Sequence, residues 1–191
     1  MDAAVKPNLL FIFTDQQRLD TIECYGNDQI ETPALNALAD ESFVFEHAYV
    51  SQPVCSPSRA TMLCGLSPHT ARVPACNVSL PQDVKTIAEL VTNDYRCAYI
   101  GKWHLGHHEK FLPMQHGFDD YFGLPYSNDM WPYHPGVLHL PMKERLKRWP
   151  NLPLIDGNKV VNPKVTGKEQ EKLTTQYTEH AVSFIEKNKD K

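Results

Sequence analysis

The sequence predicts an α/β protein with a mixed, mostly parallel sheet flanked by helices. Two observations predict this class: apolar runs of strand length at residues 8–14 and 96–100, and helical patterns that alternate with them along the chain. A continuous apolar run is typical of a strand buried on both faces of a parallel sheet. Alternation of strands and helices favours a layered α/β architecture. With 191 residues, 41% of them hydrophobic, the chain is long enough to bury a core.

The other elements are predicted from local patterns, since Pro and capping residues begin helices and turn residues separate strands. In the first part of the chain they are a helix begun by Thr32-Pro33 with Leu35, Leu38 and Ala39 at core spacing, a strand over residues 42–50, and a helix ended by Gly65. In the second part they are a helix over residues 84–93 capped by Asp83, two short strands joined at Asp156-Gly157, and an amphipathic helix over residues 168–187. Residues 67–81 and 111–135 are rich in turn residues and predict irregular, pocket-lining segments.

Composition excludes several classes of protein. The net charge of −4 gives no reason to expect a nucleic acid or an anionic membrane surface as partner. No apolar run approaches the roughly 20 residues of a membrane span. Five cysteines without a Cys-x-x-Cys pair argue against a zinc cluster or a dense disulfide framework. The first seven residues lack the apolar segment of a signal peptide, so the sequence does not indicate a compartment.

The segment from Pro53 to Gly65 carries the strongest chemical signal. Ser56 is predicted to cap a helix and Pro57 to occupy its first position. Cys55 then lies just ahead of the helix N-terminus, where free N–H groups favour negative charge, and Arg59 points back over the same end. A reactive atom, a cation and an anion-binding helix end within one turn predict a site for an oxyanion. On these residues alone, a buried thiol before a capped helix is an equal alternative.

Polar residues also follow the two apolar strands. Asp15 and Gln16 follow the first, and their oxygens suit a hard cation such as calcium, although a capping Asp in a turn is the alternative. Lys102 and His104 follow the second and share one face if strand geometry persists. A lysine can neutralise an anionic oxygen and a histidine can transfer a proton. A surface lysine and a satisfied histidine are the alternative here.

Four separated motifs support a family resemblance. They are Thr14-Asp15-Gln16, Cys55-Ser56-Pro57-Ser58-Arg59, Gly101-Lys102-Trp103-His104-Leu105-Gly106 and Gly123-Leu124-Pro125-Tyr126-Ser127. In this order they resemble the N-terminal part of a sulfatase of the arylsulfatase A type, within the alkaline phosphatase superfamily. The resemblance is specific over residues 7–130 and looser beyond. It implies that residues 1–191 are the incomplete N-terminal part of a sulfatase catalytic domain with a truncated alkaline-phosphatase-like fold.

The resemblance implies a nucleophile and a metal site. Cys55 would be converted to formylglycine by a maturation enzyme, and the hydrated aldehyde would attack sulfur. Asp15, Gln16 and an oxygen of the formylglycine would hold a calcium ion. Many relatives have an Asp where this chain has Gln16, which makes the expected calcium site less anionic.

The resemblance also implies roles around the substrate. Arg59 would hold and orient the formylglycine, Lys102 and Ser127 would contact the sulfate group, and His104 would hydrogen-bond the hydrated aldehyde. The implied activity is hydrolysis of sulfate esters in a sulfated small molecule or a sulfated sugar. No residue near the end of the chain matches the family's remaining metal ligands, so we expect part of a site. A phosphonate monoester or phosphodiester hydrolase on the same scaffold and a catalytically inactive fragment are the alternatives.

Overall fold

The computed structural model describes residues 6–91 and 94–189. The chain divides into two compact units, Met1–Tyr49 and Val50–Lys191. No described helix combines the length and the apolar character that a membrane crossing would require.

The first unit is built around one helix. Helix α1 spans Pro33–Asp40, and Pro33 begins it as predicted. A reciprocal pair of hydrogen bonds fixes the residue before it: the Thr32 N–H donates to Glu23 Oε2 at 3.0 Å, and the Glu23 N–H donates to Thr32 Oγ1 at 3.1 Å. Leu38 of the predicted apolar stripe is 59% exposed, so the helix itself is confirmed and the burial of its stripe is not.

Both strands predicted in this unit are wrong. Residues 6–14 have no regular secondary structure and residues 42–50 form bends and loops. Leu10 is 66% exposed and Phe43 is 96% exposed. A strand is stabilised by hydrogen bonds to a neighbour and by burial of its faces, and the sheet among the described residues includes neither segment.

The second unit contains a four-stranded sheet. Its strands are β1 (Ala98–Ile100), β2 (Asp120–Gly123), β3 (Leu154–Asp156) and β4 (Lys159–Asn162), in the spatial order β1-β2-β3-β4. Strands β1 and β2 are parallel, and the β2–β3 and β3–β4 pairs are antiparallel. The mixed α/β class is confirmed, but the prediction of a mostly parallel sheet is wrong for the described strands, because β1–β2 is parallel while the β2–β3 and β3–β4 pairs are antiparallel. The hairpin at Asp156-Gly157 is also confirmed, whereas β2 lies in a segment predicted to be irregular.

Five α-helices accompany this sheet in the described part of the unit. They are α2 (Cys55–Cys64), α3 (Ile87–Val91), α4 (Met142–Arg148), α5 (Gly167–Gln170) and α6 (Leu173–Asn188). The sequence did not predict α4. It predicted one helix from residue 168, but the Thr166 and Glu169 capping box begins α5 at Gly167, and α6 begins only at Leu173.

Helix α3 begins later than predicted. The Thr86 N–H donates to Glu89 Oε2 at 2.9 Å, which satisfies a backbone donor at the start of the helix. Asp83, the predicted cap, instead forms an ion pair with Arg72. Asn93, the predicted last residue, lies outside the described residues.

Aromatic side chains dominate the core of the second unit. Trp103 and Tyr121 are fully buried. Tyr99 packs edge-on against Trp103, with ring centroids 4.9 Å apart, and against Phe118 at 5.4 Å. This cluster lies beneath β1 and β2 and therefore fixes the segments that follow these two strands.

Candidate active site

Helix α2 places Cys55 at an anion-binding position. Cys55 is the first helical residue, preceded by Val54 in an extended conformation with φ −135° and ψ 137°. The prediction that Ser56 caps the helix is wrong, because Ser56 is the second helical residue, is fully buried and makes no capping hydrogen bond. Gly65 ends the helix at φ 68°, as predicted. The helix therefore begins two residues earlier than predicted, which brings Cys55 into the first turn, where backbone N–H groups lack helical acceptors.

A second thiol lies beside Cys55 at the start of α2. The Sγ atoms of Cys55 and Cys76 are 3.5 Å apart, and the backbone of Ser56 acts to lower the pKa of Cys76. The sequence predicted only an irregular segment around Cys76. The odd cysteine count indicated an unassigned thiol but not which one, because the contact joins residues 21 positions apart.

The two thiols differ in acidity. Burial raises the pKa of Cys55, and the hydrogen bond with Cys76 raises it further, against the opposing effect of the Lys102 charge. Burial also acts to raise the pKa of Cys76, but the backbone of Ser56, Cys55 and the Lys102 charge outweigh it, so the pKa of Cys76 falls below the ordinary value. Lys102 therefore acts electrostatically on both sulfur atoms.

Arg59 connects α2 to the segment after β1. Its Nη1 donates to Tyr99 Oη at 3.0 Å and to the carbonyl oxygen of Lys102 at 2.6 Å. The Tyr99 hydroxyl donates to the same carbonyl at 2.8 Å. Arg59 is only 5% exposed. The sequence did not single out Tyr99, because its partner Arg59 is 40 residues away and no local pattern indicates the contact.

The segments after β1 and β2 run side by side. The Gly101 N–H donates to Phe122 O at 2.8 Å, the Trp103 N–H to Leu124 O at 2.9 Å and the His104 N–H to Pro125 O at 3.1 Å. The parallel ladder thus continues past the strands and carries Lys102 and His104 alongside the segment that leads to Ser127. Ligands of α/β sheets bind at the carboxyl ends of strands.

His104 departs from strand geometry. Its φ is 58°, in the left-handed region that few residues other than glycine adopt. The condition under which Lys102 and His104 were expected to share a face, persistence of strand geometry, is not met, because β1 ends at Ile100 and the backbone of His104 leaves the extended region. His104 is 5% exposed. Backbone strain of this kind is concentrated at functional sites.

Asp15 and Gln16 lie in the first unit, in a bend after the apolar run, and both are exposed. Gln16 has a φ of 36°. Within residues 6–91 and 94–189, no group of three or more His, Cys, Asp or Glu side chains could hold a metal ion. One carboxylate and one amide fall short of the roughly six to eight oxygens that calcium takes, so these residues do not form a complete calcium site.

An α/β fold that places a thiol in the first turn of a helix, with the Lys102 charge acting on its sulfur, forms a candidate site for an oxyanion. The family model described as Sulfatase matches residues 7–191. The chain therefore belongs to the sulfatase family.

Curated relatives agree with this assignment. The chain is 36% identical over 133 residues to N-acetylgalactosamine-6-sulfatase of Homo sapiens, a match that covers 62% of this chain and 26% of the relative. It is 33% identical over 204 residues to arylsulfatase G of Mus musculus, covering 96% of this chain and 38% of the relative. The matches thus span roughly a quarter to two fifths of these relatives.

A comparison with a solved structure shows that the fold is shared. Ps i-CgsB superposes with a TM-score of 0.70 at 28% identity, over 91% of this chain and 40% of that protein. It has also been solved in complex with k-i-k-neocarrahexaose.

Proposed function

We propose that this chain contributes to hydrolysis of sulfate esters, with Cys55, after conversion to formylglycine, as the nucleophile. One observation carries the proposal. Cys55 begins α2, and Lys102, whose carbonyl is hydrogen-bonded by Arg59, acts electrostatically on its sulfur. Membership of the sulfatase family supports the reaction type.

The residues around Cys55 suit negative charge that develops during ester cleavage. The N–H groups of the first turn of α2 and the Lys102 ammonium group are fixed before the reaction, and such preorganised groups stabilise a transition state effectively. Arg59 holds the Lys102 backbone through its carbonyl and thereby positions it. A formylglycine hydrate would supply one hydroxyl for attack on sulfur and a second whose deprotonation releases sulfate after the alcohol has left.

His104 and Ser127 complete the proposed substrate site. His104 follows β1, and its N–H is bound to Pro125 O, two residues before Ser127. We assign His104 to proton transfer near the aldehyde hydrate and Ser127, with Lys102, to binding of the sulfate group. Their place at the carboxyl ends of two parallel strands supports these roles.

Asp15 and Gln16 are our proposed contribution to a calcium site, together with an oxygen at residue 55. The set needs further oxygen ligands, because a calcium site takes about six to eight. We therefore propose that residues 1–191 correspond to the N-terminal part of a sulfatase catalytic domain, with the remaining ligands supplied by sequence homologous to the uncovered part of the relatives.

The substrate class is a sulfated sugar. The name of the human relative specifies the 6-sulfate of an amino sugar, and Ps i-CgsB binds an oligosaccharide. Specificity depends on the loops around a site rather than on the fold itself, so we extend this assignment to the class and not to one sugar.

Turnover of an aryl sulfate and an aryl phosphonate tests the proposal in a protein that contains these residues and all downstream coding sequence. The protein is produced with a formylglycine-generating enzyme. We expect a preference for the sulfate, loss of turnover in Cys55→Ala, and retained turnover in Cys64→Ala, which alters the other end of α2. Preference for the phosphonate would instead identify a phosphonate or phosphodiester hydrolase.

The mass of the peptide that contains residue 55 provides a readout independent of activity. Conversion oxidises the thiol-bearing carbon of the cysteine to an aldehyde with loss of the sulfur, and this lowers the peptide mass. An unmodified thiol combined with no turnover would identify a catalytically inactive member of the family.

A further inference from the structure

The proposed function uses Cys55 but gives no role to its contact with Cys76. Their Sγ atoms are 3.5 Å apart, and both residues are half-buried, so small reagents have access to them. All five cysteines are free thiols in the structure. No other contact between two cysteine sulfurs occurs among the hydrogen bonds of the described residues.

The geometry favours a bond between these sulfurs over a bound metal. A disulfide requires sulfurs about 2.05 Å apart, and the two sulfurs already lie in van der Waals contact at 3.5 Å. A structural zinc ion takes about four ligands, whereas no third His, Cys, Asp or Glu joins this pair in the described part of the chain.

We propose that Cys55 and Cys76 form a reversible disulfide that occupies the Cys55 sulfur. A protein thiolate attacks a small-molecule disulfide, forming a mixed disulfide and releasing one thiol. The second protein thiolate then attacks the mixed disulfide, forming the Cys55–Cys76 bond and releasing the second thiol. The two protein thiols lose two electrons, the reagent gains them, and the two protons pass to the released thiols.

The bridge has a consequence that rests on the proposed function. A sulfur in a disulfide is not the free thiol that a maturation enzyme must oxidise at its carbon. Residue 76 would therefore control whether residue 55 becomes a nucleophile, and an oxidising environment would hold the protein unconverted until a thiol reductant cleaves the bridge.

Peptide mapping tests the bridge itself. The purified chain is incubated with oxidised glutathione, its free thiols are blocked with iodoacetamide, and it is digested without reduction. We expect a linked peptide containing Cys55 and Cys76, with loss of two alkylatable thiols, while Cys24, Cys64 and Cys97 remain alkylated. Cys76→Ala should abolish the linked peptide and Cys64→Ala should retain it. Alkylation of both Cys55 and Cys76 in the oxidised protein would overturn the proposal.

Conversion by a formylglycine-generating enzyme tests the consequence. Prior oxidation should reduce conversion of residue 55 in the wild type and leave conversion in Cys76→Ala unchanged. Equal conversion of oxidised and reduced wild type would overturn the control of maturation. Absence of conversion in both reduced proteins would refute the proposed function, whereas the peptide map would still decide the bridge.

Discussion

The Nη1 atom of Arg59 donates to the carbonyl oxygen of Lys102 at 2.6 Å and so joins the first turns of α2 to the segment after β1. The same atom donates to the Tyr99 hydroxyl at 3.0 Å. One buried side chain therefore fixes the distance between the two parts of the candidate site.

Arg59→Met should destabilise the protein, because methionine preserves the apolar stem and removes both hydrogen bonds. Bonds from charged donors contribute about 1.5–3 kcal/mol each, so loss of both should lower the free energy of unfolding by about 3–6 kcal/mol. Urea unfolding followed by circular dichroism measures this change. Arg72→Met is the control, since Arg72 forms an exposed ion pair with Asp83 and should matter little. Equal unfolding midpoints for the two variants would contradict the positioning role of Arg59.

Gly123→Ala should destabilise the sheet, because a Cβ atom at this position would lie 1.9 Å from the carbonyl oxygen of Gly101. Relief requires movement of backbone atoms, and overpacking of this kind costs about 1–3 kcal/mol. Thermal unfolding should show a lower midpoint. Gly167→Ala is the matched control, since its Cβ would meet only Trp131 at 3.8 Å. If Gly123→Ala unfolds at the same temperature as the wild type, the main chain at Gly101 and Gly123 can move apart at little cost, and the prediction is wrong.

Acidification should destabilise the protein through His116, which is fully buried. Burial lowers the pKa of His116 below the ordinary value of 6.5, and the nearby Glu89 charge only partly offsets this. The unfolded chain then binds the proton more readily than the folded protein, so the contribution to stability is present above pH 6.5 and is lost as the pH falls below that value.

Free energies of unfolding, obtained by urea denaturation at a series of pH values from 7.5 downwards, test this dependence. We expect His116→Phe to flatten the acid side of the profile and His69→Gln, at an exposed position, to leave it unchanged. A profile in His116→Phe as steep as the wild type would exclude His116 as its source.

Oxidation of the Cys55–Cys76 pair should stabilise the folded state. The bridge would close a loop between residues 21 positions apart. Closing a loop of this size lowers the entropy of the unfolded chain and so raises the free energy of unfolding by about 3 kcal/mol. Calorimetry should therefore show a higher unfolding midpoint for the oxidised wild type than for the reduced form. In Cys76→Ala the two midpoints should coincide, and a shift there as large as in the wild type would assign the effect to another cysteine.

Elements with a local signal were predictable from the sequence. Gly65 ends α2 because it adopts a positive φ, and the turn at Asp156-Gly157 joins β3 and β4. The Thr86 and Glu89 pattern that begins α3 is an equally local signal. Prediction failed where a partner distant in sequence decides the outcome, as for residues 8–14, whose apolar pattern indicates burial but cannot supply a neighbouring strand.

In the candidate site, too, residues with a local signal were predictable and residues brought in from a distance were not. The motif from Cys55 to Arg59 predicted a helix N-terminus, and α2 begins at Cys55. Cys76 and Tyr99 approach this motif from 21 and 40 residues away, so only the folded chain reveals them. The assigned site roles stay predictions, which the activity and mass measurements address; they are those of Asp15, Gln16, Cys55, Arg59, Lys102, His104 and Ser127.

The close approach of Gly101 and Gly123 has a consequence for how such a site can be redesigned or can diverge. Because the two backbones touch with no side chain between them, main-chain contact sets the spacing at the start of the loops that carry Lys102 and Ser127. Substitutions can change the side chains that each loop presents, whereas a change in that spacing would require the main chain itself to move. Variation at this edge of the sheet is therefore accessible through side-chain exchange more readily than through separation of the two loops.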